Sequence, residues 1–479
     1  MDRVRTRFAP SPTGFMHIGN LRTCLYGYLF AKQNNGDFLL RIEDTDQDRF
    51  VDGAIEAIYR TLNLSGIQVD EGPLNGGNYG PYIQSERKEI YLKYAKELID
   101  KGAAYYCFCT KERLSELKEK DGFAKYDKHC LHLSKKEIEE NLKKGIPYVI
   151  RQNIPTEGFS EYDDMVFGHI SIKNEEMEDN ILIKSDGMPT YNFANVIDDH
   201  LMRISHVMRG MEYLSSTPKY NLLYDAFGWE RPKYIHMPPI MKDEKNKLSK
   251  RHGDANFEDF YQKGFLPHAI VNYIALLGWH PATNQEKMTM QEMIENFSIS
   301  GISKSGAIFD PVKMAWLNSE YIKELSDDEF YNLSLPYYKE SEASKKYEYS
   351  NIAPLLKNRI DKFSDIKDKI DFIVDFKKYD VEMFENKKNK ITKELAITIL
   401  EILLKGLSDI NNWVEDDMKV FINEVALANS IKAGQIFLTM RLAITGYQST
   451  PGGATELAFI LGKQESLKRI AKSLEWLKE

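Results

Sequence analysis

The stretch Arg7–Asn20, RFAPSPTGFMHIGN, decides the fold. Two prolines, Pro10 and Pro12, and two glycines, Gly14 and Gly19, interrupt the chain just before an apolar helical run. Proline fixes φ and stiffens a turn, while glycine lets backbone or a ligand approach closely. His17 stands immediately ahead of the helix, where unpaired N–H groups and the helix dipole favour an anion. An α/β sheet binds nucleotides at such crossings, at the carboxyl ends of its strands. Taken alone, a turn of this kind is more often a plain strand–helix connection.

A second signal changes the balance. KLSKR, Lys247–Arg251, lies in MKDEKNKLSKRHGD, a stretch dense in charge that reads as a loop beside the strand-like run KYIHMPPI. Between the two signals, strand and helix alternate. LRTCLYGYLFAKQNN reads as a helix closed by Gly36, FLLRIE as a strand and VDGAIEAIYRTLNL as a helix closed near Gly66. ERKEIYLKYAKELIDKG is a further helix with a C-terminal Gly. Strand-like runs return at YVIRQNIP, NILIKS, RISHVMRG and KYIHMPPI, and this alternation predicts a doubly wound parallel sheet. The segment 88–190 is richer in Lys and Glu and reads as an insertion.

After the KLSKR loop the character turns helical: LPHAIVNYIALLG, TMQEMIENF (opened by a Thr289/Glu292 capping box) and DPVKMAWLN. From about residue 326 strand alternation almost disappears, and ITKELAITILEILLKGL, IKAGQIFLTMRLAITG and ATELAFILGKQESLKRIAKSLEWL each read as a helix. A chain of 479 residues has material for several cores, and 42% apolar with 28% charged residues is an ordinary globular composition. No apolar run approaches the roughly 20 residues that span a bilayer, and the charged start MDRVRTRFAP carries no signal-peptide core. A cytoplasmic location without membrane partners is expected. The net charge of −8 argues against an overall nucleic-acid coat but leaves room for a local basic stripe.

The four cysteines are unevenly placed: Cys107, Cys109 and Cys130 cluster, with Cys24 apart in a helix as a small core residue. Cys107-x-Cys109 followed by Cys130-x-His132 offers three thiols and an imidazole, enough to close a tetrahedral structural zinc site, with one ion per chain. His129 is a rival for the fourth place.

The paired signatures resemble those of the class I aminoacyl-tRNA synthetases, standing here as HIGN and KLSKR. RFAPSPTG, LRIEDTD, GPYIQSER, DGMPTYNFANVIDDH, STPKYNLLYDAFGW and KLSKRHGD follow, in order, the pattern of the bacterial glutamyl-tRNA synthetases from residue 3 to about 320, and more loosely beyond. The resemblance implies a Rossmann-type catalytic domain in 1–87 and 191–252, an inserted acceptor-end-binding domain in 88–190 with the zinc site, a helical stem-contact domain in 253–325 and an all-helical anticodon-binding part in 326–479. It adds Tyr126 as an alternative fourth zinc ligand and implies ATP with Mg²⁺, L-glutamate and tRNA(Glu) as partners of a monomer. His17, Lys247 and Lys250 would be catalytic. Pro10, Ser11, Gly19, Asn20, Ser249 and Arg251 would join them around ATP. Arg7, Ser11, Glu43, Tyr191, Asn195, Arg209 and Glu212 would hold glutamate, with Glu43 on the ammonium and Arg209, helped by Arg7, on the side-chain carboxylate. Asn20 replaces the second His of the class signature, a mild departure that keeps a hydrogen-bonding amide. In KNRIDKF, Arg359 aligns with the anticodon arginine that separates strict enzymes from those that also charge tRNA(Gln), and favours the strict type.

Three alternatives are distinguishable by sequence. A glutaminyl enzyme would carry C-terminal β-barrels, which the strand-poor region after residue 326 disfavours. The relative that glutamylates a modified tRNA base lacks the anticodon half. A non-catalytic RNA- or zinc-binding paralogue has no need of both ATP signatures.

Overall fold

The computed structural model describes residues 3–46, 51–121, 125–249 and 255–479. They form two compact units, residues 1–261 with 267–311, and residues 262–266 with 312–479.

The first unit is built on parallel strands. β1 (Arg5–Phe8) pairs with β2 (Asp37–Leu40) in parallel, and α1 (Ile18–Gln33) crosses between them. On the other side of β1, Ser205 donates its backbone N–H to Arg5 O at 3.0 Å. That bond leads into β8 (His206–Gly210), which pairs in parallel with β9 (Lys233–Met237). Helices α2 (Ala54–Leu64), α6 (Tyr191–Leu201) and α7 (Thr217–Phe227) complete the α/β alternation. This is the doubly wound sheet that the sequence predicts, and its strands are buried almost throughout because helices cover it.

The intervening segment adds an antiparallel sheet, β3 (Ala104–Cys107), β4 (Val149–Gln152) and β7 (Ile181–Ile183). It packs with α3 (Lys88–Asp100), α6 and α7 in one apolar core around Tyr91, Leu98, Ile150, Phe193 and Tyr220. Two short helices, α4 (Lys111–Asp121) and α5 (Lys135–Lys143), lie along the same stretch of chain. A hairpin of β5 (Phe159–Asp164) and β6 (Gly168–Lys173) joins the parallel sheet directly, pairing Asp164 with Tyr234 of β9. β10 (Ile240–Met241) runs parallel to β11 (Ala307–Ile308), and α8 (Phe257–Gln262), α9 (Pro267–Leu276) and α10 (Met290–Asn296) follow the loop. The Thr289/Glu292 capping box is present in both directions.

The second unit is helical: α11 (Pro311–Glu324), α12 (Asp327–Lys339), α13 (Tyr349–Leu356), α14 (Ile366–Ile370), α15 (Lys393–Ser408), α16 (Glu415–Ala428), α17 (Ala433–Thr445), α18 (Ala454–Leu461) and α19 (Lys463–Lys478). No strand occurs among its described residues.

Two glycine readings change. Gly36 does not supply the left-handed turn after α1; Asn35 does, at φ 51°. Gly36 is instead a close-approach position, where a Cβ would stand 2.1 Å from Val4 O, just ahead of β1. The single helix expected over 454–477 is two, because Gly462 adopts φ 78° and ψ 160°, a conformation closed to residues with a Cβ, and starts α19 in a new direction.

Candidate active site

A cleft of about 680 Å³ opens at the carboxyl ends of the parallel strands. Its floor comes from β1 and the proline turn, its walls from the start of α1, the ends of β8 and β9, and the loop after β10. Of the residues expected to meet ATP and glutamate, Arg7, Pro10, Ser11, His17, Gly19, Asn20, Glu43, Tyr191, Arg209, Glu212 and Lys247 all line it. Asn195 does not; it is buried in α6 with its amide on Tyr191 O. Ser249 is described but is not among the lining residues. Lys250 and Arg251 lie outside the described residues.

His17 caps α1. Its Nδ1 accepts the backbone N–H of Gly19 at 3.0 Å, so the neutral ring carries its proton on Nε2. The two signatures are physically tied: Ile18 donates to Ala255 O at 2.9 Å and Phe257 to Met16 O at 3.1 Å, just beyond the KLSKR loop. Lys247 is set by a tight turn. Asp243 Oδ1 accepts the N–H groups of Lys245 and Asn246, and Leu248 N–H returns to Ile240 O at 3.0 Å.

Charge at the inner end of the cleft is organised by a buried network. Arg7 Nε lies 3.0 Å from Asp199 Oδ1, and Arg41 Nη1 lies 2.7 Å from the same oxygen. Arg41 Nη2 then reaches Glu43 Oε1 at 2.9 Å. Arg7 also gives Nη2 to Asp199 and Nη1 to Met208 O, which leaves two of its five N–H groups for a ligand. The bonds to Glu43 both fall on Oε1, from Arg41 and from Gln84, and leave Oε2 to the cleft. Burial raises the Glu43 pKa, with Arg41 and Arg7 pulling it back.

Arg209 differs. It is buried, donates Nε to His236 and Nη2 to Thr217, and is ringed by Tyr213, Tyr220 and Tyr234 at 4.9–5.5 Å. Among the described residues no carboxylate pairs with it. A buried guanidinium without a counter-ion is costly, and in a cleft it marks the seat of an anionic ligand. Sequence reasoning missed its partners His236 and Thr217, and missed Arg41 and Asp199, because these residues lie in separate elements and meet only in the fold.

The thiols of Cys107, Cys109 and Cys130 come within 4.8 Å of one another. Three sulfurs on one tetrahedral zinc, at ~2.3 Å each, would stand ~3.8 Å apart, so the group fits such an ion. The Tyr126 oxygen lies 3.3 Å from the sulfurs of both Cys107 and Cys109. Interaction with Cys130, joined by the Tyr126 hydroxyl, outweighs burial and holds the Cys107 thiol down at about 4. The guanidiniums of Arg113, 3.5 Å from Cys109 Sγ, and Arg151, 4.1 Å over the Tyr126 ring, offset an anionic ligand set. His132 and His129 are exposed and outside the group. Both sit with Cys130 in a 3₁₀ turn, His129–His132, where successive side chains point about 120° apart, so neither shares the inward direction of Cys130. Cys24 is buried alone in α1.

In the second unit Arg359 lines a pocket of about 410 Å³ with Asp368, Lys369, Phe372, Tyr447 and Thr450. No described helix is long and apolar enough to cross a membrane.

Residues 3–316 match the family described as tRNA synthetases class I (E and Q), catalytic domain, and residues 329–474 match an anticodon binding domain. The glutamate–tRNA ligase of Clostridium botulinum (strain Eklund 17B / Type B) is 56% identical, over 99% of both chains. That of Clostridium novyi (strain NT) is 55% identical, over 99% of this chain and 98% of its own. Among solved structures, a glutamate tRNA ligase of Elizabethkingia meningosepticum, in complex with its amino acid, covers 99% of this chain with a TM-score of 0.87 at 35% identity. The glutamate-tRNA synthetase of Elizabethkingia anophelis superposes with a TM-score of 0.88.

Proposed function

We propose a residue-by-residue assignment on one premise: this chain belongs to the glutamate–tRNA ligase family of class I aminoacyl-tRNA synthetases. The enzyme activates glutamate with ATP and transfers it to tRNA. The α-carboxylate of glutamate attacks the α-phosphorus of ATP, pyrophosphate leaves, and a ribose hydroxyl at the tRNA 3′ end then takes the acyl group and releases AMP. None of these steps needs a protein nucleophile, so catalysis is positioning and charge stabilisation.

The observation that carries the assignment is Arg209, buried in the cleft with no protein carboxylate partner among the described residues. Arg209, helped by the two spare N–H groups of Arg7, receives the side-chain carboxylate of glutamate. Glu43 Oε2 takes the ammonium, with Ser11 and Tyr191 beside it. Asn195 acts one layer back by holding the start of α6, and Glu212 lines the mouth. His17, with its proton on Nε2, donates to ATP, and Pro10, Gly19 and Asn20 let the phosphates lie against the helix N-terminus. Lys247, with Ser249, Lys250 and Arg251 of the same loop, offsets the charge that moves to pyrophosphate. ATP brings Mg²⁺ held chiefly by phosphate and water, so no protein cage is required.

Cys107, Cys109, Cys130 and Tyr126 hold one structural zinc, which braces the acceptor-end domain; His132 is the less favoured fourth ligand. The segment boundaries expected from sequence, 88–190, 253–325 and 326–479, are kept for the acceptor-end, stem-contact and anticodon roles. Arg359 reads the anticodon and makes the enzyme selective for tRNA(Glu). The enzyme works in the cytoplasm as a monomer.

The test is charging with labelled glutamate on purified tRNA(Glu) and tRNA(Gln) in parallel. Charging of tRNA(Glu) alone is expected. Charging of both would overturn the selectivity assigned to Arg359, and charging of neither would overturn the cleft assignment.

A further inference from the structure

We propose that His236, held by Asp164, is a positioning residue for glutamate selection: it fixes one edge of the Arg209 guanidinium so that the opposite edge meets the substrate's side-chain carboxylate. This rests on the assignment of Arg209 to that carboxylate made above.

The direction of each proton follows from the geometry. His236 is fully buried in β9. Its Nε2 lies 3.1 Å from Arg209 Nε, and its Nδ1 lies 2.7 Å from Asp164 Oδ2. An arginine Nε–H can only donate, so Nε2 is the acceptor and the ring proton sits on Nδ1, donated to Asp164. Asp164 is itself immobilised. Its Oδ1 accepts the N–H groups of Val166 at 2.9 Å and Phe167 at 2.8 Å, and its Oδ2 also accepts the backbone N–H of His236 at 3.1 Å. Burial lowers the His236 pKa, which keeps the ring neutral although Asp164 pulls the other way. A doubly protonated ring would set N–H against N–H at Arg209.

A second anchor acts on the same edge. Arg209 Nη2 donates to Thr217 Oγ1 at 2.6 Å, and that hydroxyl donates to Tyr213 O at 2.8 Å. Nε and one Nη2 hydrogen are therefore committed. The Tyr191 side chain also hydrogen-bonds the guanidinium, and the N–H groups left on Nη1 and Nη2 present a fork that a carboxylate accepts in bidentate fashion. Glutamine, an isostere with an amide in place of that carboxylate, would set N–H groups against this fork. Loosening the anchors lets the guanidinium turn and weakens that discrimination. The hairpin β5–β6 acquires a role here: it delivers Asp164 to the sheet edge beside β9.

The experiment measures kcat and KM for glutamate and for ATP in tRNA charging by the full chain, with glutamine as a competitor. The variants are His236→Phe, His236→Gln, Asp164→Asn, Thr217→Val and Arg209→Leu. His236→Phe removes the acceptor, and Asp164→Asn can donate to Nδ1 and so move the ring proton to face Arg209. Each should raise the glutamate KM about tenfold to a hundredfold, the range for a lost charge-assisted hydrogen bond. The ATP KM should stay within twofold, and preference over glutamine should fall in parallel. His236→Gln, whose Oε1 can accept from Arg209, should recover most of the loss. If His236→Phe does not fold, Asp164→Asn and Thr217→Val carry the same expectation. A glutamate KM within twofold of wild type in the folded variants, with Arg209→Leu strongly impaired, would overturn the relay alone. Glutamate and ATP KM rising together, with His236→Gln no better than His236→Phe, would reduce His236 to a structural role. An unimpaired Arg209→Leu would overturn the reading of Arg209 itself.

Discussion

At the scale of single residues, the cleft is defined by which charges are already paired and which are left open. Arg7 gives Asp199 two N–H groups and Arg41 gives it one, and together they hold its carboxylate below the ordinary range against the cost of burial. Glu43 keeps one oxygen open and has a raised pKa, from burial first. A proton on Glu43 would remove the charge that meets the substrate ammonium. The glutamate KM should therefore rise as pH falls, with the rise beginning above the usual carboxylate range, while Glu43→Gln should give a high KM that is flat over the same interval. A KM–pH profile for glutamate checks both, and an unchanged slope in Glu43→Gln would assign the titration elsewhere. The residue types here were legible in the sequence only through the motifs that carry them. Glu43 and Arg209 alone would have passed for a strand-end carboxylate and a surface ion pair. What sets them apart is burial and, for Arg209, the absence of a carboxylate partner among the described residues, which a linear pattern does not display.

At the scale of elements, the cysteine cluster shows where spacing informs and where it misleads. Cys-x-Cys and Cys-x-His brought the right thiols together, since β3 ends at Cys107 and the 3₁₀ turn returns Cys130 beside it. The spacing also suggested His132, and the turn geometry sends that ring outward. Metal analysis of purified protein should find about one zinc per chain in wild type and in His132→Ala, on tetrahedral Cys₃–Tyr coordination. Cys130→Ser should lose most of it, and Tyr126→Phe should bind it more weakly and release it faster to a chelator. Loss of zinc in His132→Ala with retention in Tyr126→Phe would reverse the ligand choice. The hairpin β5–β6 escaped sequence reading for a related reason. Its inward face is Ser160, Tyr162 and Asp164, and Phe159 faces solvent, so the period-two apolar signal is absent. The parallel strands β2, β8 and β9 fall on the strand-like runs FLLRIE, RISHVMRG and KYIHMPPI and were legible, whereas β1, Arg-Thr-Arg-Phe, carries no apolar run.

At the scale of the whole molecule, the sequence divides into a class I catalytic domain over residues 3–316 and an anticodon binding domain over residues 329–474. The change from α/β alternation to unbroken helix was readable from periodicity. The surface that meets the anticodon was not, because lysine-rich helix faces look alike whether they are solvated or bound to phosphate. Arg359 stands out by sharing a pocket with Phe372 and Tyr447, a stacking-capable setting for bases. Arg359→Gln should leave charging of tRNA(Glu) within a few-fold of wild type and raise charging of tRNA(Gln) by about tenfold or more, the discrimination that one good base contact supplies. Parallel charging assays on the two tRNAs measure this, and unchanged selectivity would place the anticodon reader elsewhere.

The proposed selection of glutamate rests on Arg209, a buried arginine anchored by His236 and Thr217 with no carboxylate partner among the described residues. The most direct measurement is the glutamate KM of Arg209→Leu against wild type in charging of tRNA(Glu). Loss of a desolvated charge pair of this kind costs about 2–4 kcal/mol, so the KM should rise roughly thirty- to seven-hundred-fold with the ATP KM unchanged. A glutamate KM within twofold of wild type would contradict the account.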